Sequence, residues 1–258
     1  MIKNIKALLL AGGKTKHELK RVTNQEYKAL MTINKMNSQP IIYHIVKILR
    51  GSRYISEIYV AGPEQVNNLI YSQVDAVIPS GQTLIDTLKN GIYKLQDEPY
   101  ILITTSDIPL ASSKHIDSFI KNCLISSGFD IYYSIINKDT YTKFFPDSNL
   151  RRIYANLVEG SFTGGNIFMV NPRVIIDCAE VIEQFIIFRK HPLKMARILG
   201  KRFVIKYLKK YLSIRDLEKL VPHYLKSYTG KAILADPEIA LDIDKPIHLE
   251  AIMRRQNG

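Results

Sequence analysis

Two glycines, a lysine and three aspartates are the residues of this sequence best suited to chemistry. The apolar run Ile5-Lys6-Ala7-Leu8-Leu9-Leu10 reads as a buried strand and leads straight into Ala11, Gly12 and Gly13. Adjacent glycines at a strand end let backbone N–H groups approach an anion with no Cβ in the way. Lys28 follows fifteen residues after Gly13 and can supply the matching charge. The segment Leu10–Gly13 with Lys28 therefore suggests a seat for a phosphate-bearing ligand, most simply a nucleotide. A tight strand-to-helix turn is the plain alternative, because short glycine motifs recur by chance.

The aspartates point to a metal. Thr104-Thr105-Ser106-Asp107-Ile108-Pro109 follows another strand candidate, which puts Ser106 and Asp107 at a strand's carboxyl end. Open α/β sheets bind ligands at such ends. Mg²⁺ takes few carboxylates there and completes its shell with phosphate and water oxygens. Leu241-Asp242-Ile243-Asp244-Lys245-Pro246 adds two more carboxylates. On an extended segment Asp242 and Asp244 share a side, so either or both can join Asp107. An exposed turn with Asp244 capping the last helix is the competing reading. Two further glycine sites accompany these. Gly81 and Thr83, in Ser80-Gly81-Gln82-Thr83, open a helix whose N-terminus can face a phosphate or a base, or be capped by its own side chains. Thr163, Gly164, Gly165 and Asn166 precede an apolar strand; they offer open backbone to a ligand, or mark a bulge or bend.

The elements that must position these residues alternate. Strands are expected at Lys6–Leu10, Glu57–Val60, Asp75–Ile78, Tyr100–Thr104, Asp130–Ile135, Asn166–Val170 and Lys231–Leu234, with helices between them. This is the signature of a mostly parallel sheet. Helices are expected at Ile41–Leu49 behind Pro40, at Thr83–Leu95, at Ser112–Leu124 and at Ile247–Arg254. The polar, Pro-containing stretch Lys138–Asn149 reads as a loop and a hinge between a nucleotide-binding half, about 1–137, and an acceptor half, about 138–258, of one domain covering 1–258.

The 258 residues carry a net charge of +12, with 46% hydrophobic and 23% charged residues, which suits a soluble globular chain. Nothing reads as a signal peptide or a membrane span, and the expected compartment is the cytoplasm. Cys123 and Cys178 are too few for a metal cluster or disulfide framework. The charge is uneven. Arg189 to Lys231 holds thirteen Lys or Arg against Asp216 and Glu218. Within it Lys201–Leu212 is an amphipathic basic helix. Membrane-surface helices have this pattern, as do helices packed on one side of a domain; the packed reading is preferred on its short length.

Ala7-Leu-Leu-Leu-Ala-Gly-Gly, Lys28-Ala-Leu, Ser106-Asp-Ile-Pro-Leu, Thr163-Gly-Gly-Asn and Asp242-Ile-Asp-Lys-Pro, in that order, resemble the nucleotidyltransferase superfamily, in particular its MobA-like NTP-transferase branch with the molybdenum-cofactor guanylyl- and cytidylyltransferases. The resemblance runs from about Ile5 to Glu250. It implies a GT-A-type three-layer α/β sandwich around a mixed, mostly parallel sheet. It implies Mg²⁺-dependent transfer of an NMP unit from an NTP, CTP or GTP, to a phosphorylated small-molecule acceptor, releasing pyrophosphate. Leu10–Gly13, Lys28, Gly81, Thr83 and Ser106 would hold the nucleotide. Lys28 and Asp107 would act in catalysis, and Asp107 with Asp244 or Asp242 would bind the metal. Thr163–Asn166 and the basic trio Arg189, Lys190 and Lys194 would face the acceptor. Where many relatives continue Gly-x-x-x-Arg, this chain reads Lys14-Thr15-Lys16-His17. Two other readings stand beside this one. A GT-A glycosyltransferase would carry Asp-x-Asp after a mid-chain strand, where this chain has Ser106-Asp107-Ile108. A non-catalytic protein binding nucleic acid or membrane through the basic segment would be indifferent to Asp107; no RNA- or DNA-binding pattern supports nucleic acid.

Overall fold

The computed structural model describes residues 4–33, 39–147, 150, 152–188 and 192–256, with backbone alone for 192–197, 199, 202 and 256. Eight strands form one sheet: β1 (Ile5–Leu10), β2 (Ile55–Gly62), β3 (Ala76–Pro79), β4 (Ile101–Thr105), β5 (Ile131–Asn137), β6 (Ala155–Leu157), β7 (Gly160–Val170) and β8 (Gly230–Leu234). Their order is β3-β2-β1-β4-β7-β5-β8, with β6 paired to β7. Pairings among β1, β2, β3 and β4 are parallel, as is β5 with β8, while β7 runs antiparallel to β4, β5 and β6.

Strand alternation distributes the core over both faces. In β1, Ala7 and Leu9 point into one apolar cluster and Leu8 into the other. The first cluster is roofed by α2 (Ile41–Arg50), α5 (Ser113–Ile125) and α10 (Pro246–Gln256), through Ile42, Ile45, Ile116, Phe119 and Ile252. The second lies under α4 (Leu84–Leu95) and α7 (Pro172–Phe188), through Ile85, Leu88, Ile92, Val174 and Ile175. The result is the expected three-layer arrangement. The helix α1 (His17–Thr23), α3 (Glu64–Ile70), α6 (Lys138–Phe144), α8 (Pro192–Leu208) and α9 (Ile214–Tyr224) complete the set among the described residues. None of the described helices is long and apolar enough to cross a membrane.

Three local expectations change. The stretch expected to be a loop at Lys138–Asn149 begins as α6. The Asn137 side chain accepts from the N–H groups of Asp139 and Thr140, and Tyr141 is buried, so a polar surface hides a capped helix with one apolar side. Next, β7 starts six residues earlier than the apolar run at Asn166 suggests. Thr163–Asn166 lie inside that strand, at a register slip between Tyr133 and Ile135 of β5. A side chain at Gly164 would overlap the Tyr133 hydroxyl, and one at Gly165 the Ser134 hydroxyl, so cross-strand packing also asks for these glycines. Finally, the basic helix breaks at Gly200, where φ is 80°, and ends at Leu208. The Tyr211 N–H donates to Lys206 O across a left-handed Lys210. Leu212 is buried and Phe203 and Val204 are half-buried, but Leu208 and Tyr211 stand in solvent. The packed-helix expectation fails at those two positions and at Tyr207, also exposed, because the helix ends at Leu208 and the chain turns through Lys210 before it can cover them.

Candidate active site

A cavity of about 1010 Å³ opens at the carboxyl ends of β1 and β4. It collects most of the residues singled out above: Leu10, Gly12, Gly13, Lys28, Gly81, Thr83, Ser106, Asp107, Thr163–Asn166, Asp242 and Asp244. Ala11 lies beneath it, fully buried, its N–H bonded to Ala61 O on β2.

The strand ends set the floor. Neither Gly12 nor Gly13 has a left-handed backbone, and a Cβ at either would make only ordinary contacts, 3.6 Å from Ser80 and 3.7 Å from Lys28. The fold itself does not demand these glycines; they leave bare backbone facing the cavity. The long interval to Lys28 closes as a side loop. Lys14 bridges to Tyr27, the Thr15 N–H donates to Glu26 O, and the Lys28 N–H returns to Gly13 O at 2.9 Å. Fifteen residues of chain thus deliver Lys28 beside the strand end it left.

The Lys28 ammonium then reaches both acidic segments. It donates to Asp107 Oδ2 at 2.7 Å and Asp244 Oδ1 at 2.5 Å. The other Asp244 oxygen takes Lys16 at 2.8 Å. Burial works against the charge on Lys28, but Asp107 and Asp244 outweigh it and raise its pKa above the ordinary lysine value. Burial likewise opposes the Asp244 charge, and hydrogen bonds from Lys16 and Lys28 override it, holding the carboxyl far below its ordinary range. Lysine and carboxylate are therefore both charged at neutral pH. Oδ1 of Asp107 is buried and has no hydrogen-bond partner. Oxygens of Asp107, Asp242 and Asp244 lie within 4.8 Å of one another. The three can hold a hard divalent cation such as Mg²⁺.

The acidic tail is fixed by contacts that sequence reasoning missed. The Ile243 N–H donates to Asp107 O. Asn166 Nδ2 donates to Ile239 O and Ala240 O at 3.0 and 3.1 Å, so this amide secures the segment that presents Asp242 and Asp244. Arg152 spends its guanidinium on Thr163 Oγ1, Ala240 O, Gly164 O and Asp242 Oδ1, the last at 3.0 Å. His248 Nδ1 sits 2.8 Å from Asp242 O. Arg152 gave no periodic or spacing signal, since only tertiary folding brings it to β7. Lys16 had a weak one: it lies in the stretch Lys14–His17 that follows the glycine pair, one residue before the position at which many relatives carry arginine. Thr83 serves α4, accepting from the Asp86 N–H in a reciprocal capping box. Gly81 donates its N–H to Thr87 Oγ1, and a side chain there would overlap Asp86. Of the basic trio, Arg189 and Lys190 lie outside the described residues. Lys194 is in α8, where only the backbone is described.

A second cleft, about 820 Å³, lies along the β8 edge against α9. Its lining mixes apolar side chains with charged ones, and Lys231 and the Ala232 N–H there are bonded to Glu218. The carboxylate trio is in the first cavity alone among the described residues.

Known proteins share this frame. A 2-C-methyl-D-erythritol 4-phosphate cytidylyltransferase from Lachnoclostridium phytofermentans is 22% identical over 206 residues, 69% of this chain and 84% of that protein. A hypothetical transferase from Thermus thermophilus superposes with a TM-score of 0.79 at 24% identity, over 95% of this chain and 99% of its own. A CMP:2-keto-3-deoxy-manno-octonic acid synthetase complexed with CTP gives 0.62 at 11% identity, over 98% of each chain. At these identities the structural likeness establishes the fold. The model of the MobA-like NTP transferase domain matches residues 7–223, which contain the glycine loop, Lys28, Asp107 and Thr163–Asn166; Asp242 and Asp244 lie beyond it. With most of its length inside that match, the chain belongs to the MobA-like NTP transferase domain family and is a nucleotidyltransferase.

Proposed function

We propose that the enzyme transfers CMP from CTP to a phosphorylated small-molecule acceptor with Mg²⁺ bound, as one domain whose two halves meet at the cavity. The observation that carries this reading is the convergence of Lys28, Asp107 and Asp244 beneath the bare backbone of Gly12–Gly13. CTP is chosen because two of the three relatives above are named for cytidylyl transfer or complexed with CTP.

Backbone N–H groups of the glycine loop face the triphosphate, and Lys16 and Lys28 lie where its charge must be balanced. Mg²⁺, held by Asp107 with Asp244 or Asp242, would neutralise phosphate oxygens. Those residues fit it, since Asp107 Oδ1 is buried with no hydrogen-bond partner. An acceptor phosphate oxygen forms a bond to the α-phosphorus. The bond from that phosphorus to the bridging oxygen breaks, and pyrophosphate leaves with the electron pair. The attacking phosphate is already ionised near neutral pH, so the site needs no general base. Thr163 and Gly164 form the acceptor wall, held to the acidic tail by Arg152.

Pyrophosphate release tests the reading. CTP, GTP, ATP and UTP are each supplied with Mg²⁺ and a panel of sugar and polyol phosphates, and products are separated by mass. Release with CTP and one acceptor is expected, and Asp107→Asn should lower the rate about 10²–10³-fold. Sugar transfer from a nucleotide sugar, with no pyrophosphate formed from any NTP, would favour the glycosyltransferase instead.

A further inference from the structure

The end of α8 presents an apolar edge and a basic one together. Leu208 is 73% exposed and Tyr211 71%, and Ile205, one turn back, is also exposed. Ile205 and Leu208 lie on one helix face, and the turn after Leu208 carries Tyr211 onward from it. Lys201, Lys209 and Lys210 are exposed beside them, and Lys206, also exposed, is paired with Asp216 at 2.8 Å. The ten residues Lys201–Lys210 contain five Lys or Arg and no acid. The patch continues onto the body. The Val158 N–H donates to Leu212 O at 2.8 Å, and the Ile214 N–H donates to Glu159. Val158 itself is 60% exposed. From that hairpin turn β7 runs four residues, about 14 Å, from Gly160 to Gly164 in the cavity wall.

We propose that this edge is a docking surface for a bilayer carrying anionic lipid. Leu208, Tyr211 and Ile205 enter the interfacial region, and the lysines meet the headgroups. Exposed apolar side chains ringed by lysine fit such a surface on both counts. Charge decides against a second copy of the chain. A two-fold contact would set this edge against itself and bring lysines together. A nucleic-acid backbone would satisfy the lysines and leave the leucine, isoleucine and tyrosine with no partner. The docked edge would hold the acceptor half of the cavity near the lipid surface.

Cosedimentation with vesicles tests this with the intact protein. The vesicles are pure phosphatidylcholine, or phosphatidylcholine with about one third phosphatidylglycerol. Binding to the anionic vesicles alone is expected, and it should weaken between 0.1 and 0.5 M salt. Leu208→Ser with Tyr211→Ser, and separately Lys201→Glu with Lys209→Glu, should each lower the partition coefficient about tenfold or more. All four positions are exposed, so unfolding temperatures should match the parent's. No binding to anionic vesicles, or binding by both double variants as strong as the parent's, would overturn the proposal. So would duplex DNA binding without vesicle binding, or a dimer in sedimentation that Leu208→Ser with Tyr211→Ser dissolves.

Discussion

At the residue scale, the site depends on how three carboxylates are shared among the cations around them. Lys28 bridges Asp107 and Asp244, Lys16 holds the second oxygen of Asp244, and Arg152 holds Asp242. Removing a cation from such a buried set costs more than its own bonds, because it strands the charge it faced. Lys28→Met should therefore lower stability by about 3 kcal/mol and cut turnover together, read by denaturant unfolding and initial rates. Lys28→Arg should restore stability better than rate, since a planar fork cannot reproduce a point charge between two carboxylates. Arg152→Ala should lower stability by about 2–3 kcal/mol, as two carbonyls and a carboxylate lose a shared donor. The KM for the acceptor should rise more than that for CTP.

At the element scale, two close approaches set how the layers fit. Gly91 of α4 lies over Leu8 of the central strand, and a Cβ there would stand 2.6 Å from both Leu8 methyls. Gly91→Ala should cost about 1–3 kcal/mol by overpacking, seen as a lower denaturation midpoint with CTP affinity unchanged. Gly164 faces the hydroxyl of Tyr133, and both line the cavity. Gly164→Ala should displace that ring and raise the acceptor KM. Tyr133→Phe in the same chain should recover part of the loss, a coupling measurable by a double-mutant cycle. These contacts also show where sequence reading succeeds and fails. Gly12–Gly13 and Asp107 were legible as candidates because each follows a strand with a plain apolar pattern, and Lys28 and the Asp242–Asp244 pair because a lone cation and two alternating carboxylates complement that site. Thr163–Asn166 was legible as a site but placed before its strand, because two glycines disguise a strand interior. The α6 helix was hidden because its cap and first turn are as polar as a loop.

At the scale of the whole molecule, the layered sheet follows from the alternation of apolar segments, while the partners of its cations do not. Lys16 and Arg152 sit in segments with no apolar period, and only closure of β7 against the C-terminal tail brings Arg152 to Asp242. The charge pattern sets a pH window. Asp244 has a depressed pKa in the folded state, so its contribution exists above the ordinary carboxyl value of 3.8 and is lost as pH falls below it. His44 also has a lowered pKa, from burial, so stability should begin to fall below its ordinary value of 6.5. Lys28 has a raised pKa, so its contribution is full below 10.5 and is lost as pH rises past that value. The unfolding temperature should thus be level from about pH 7 to 9, with a shallow acid limb first and a steeper one below about pH 4; above 9 it should decline, because burial raises the Cys123 thiol from its ordinary 9.0 to about 12 and the unfolded chain ionises first. His44→Gln should remove the shallow limb alone.

The central claim is that this cavity seats a nucleoside triphosphate on Gly12–Gly13 and Lys28. Calorimetric titration of CTP into the protein with Mg²⁺, beside Lys28→Met and Gly13→Val, tests it most directly. The account predicts saturable one-to-one binding to the parent chain, at least tenfold weaker in each variant. Absence of binding by any of the four NTPs, or CTP binding untouched by both substitutions, would contradict it.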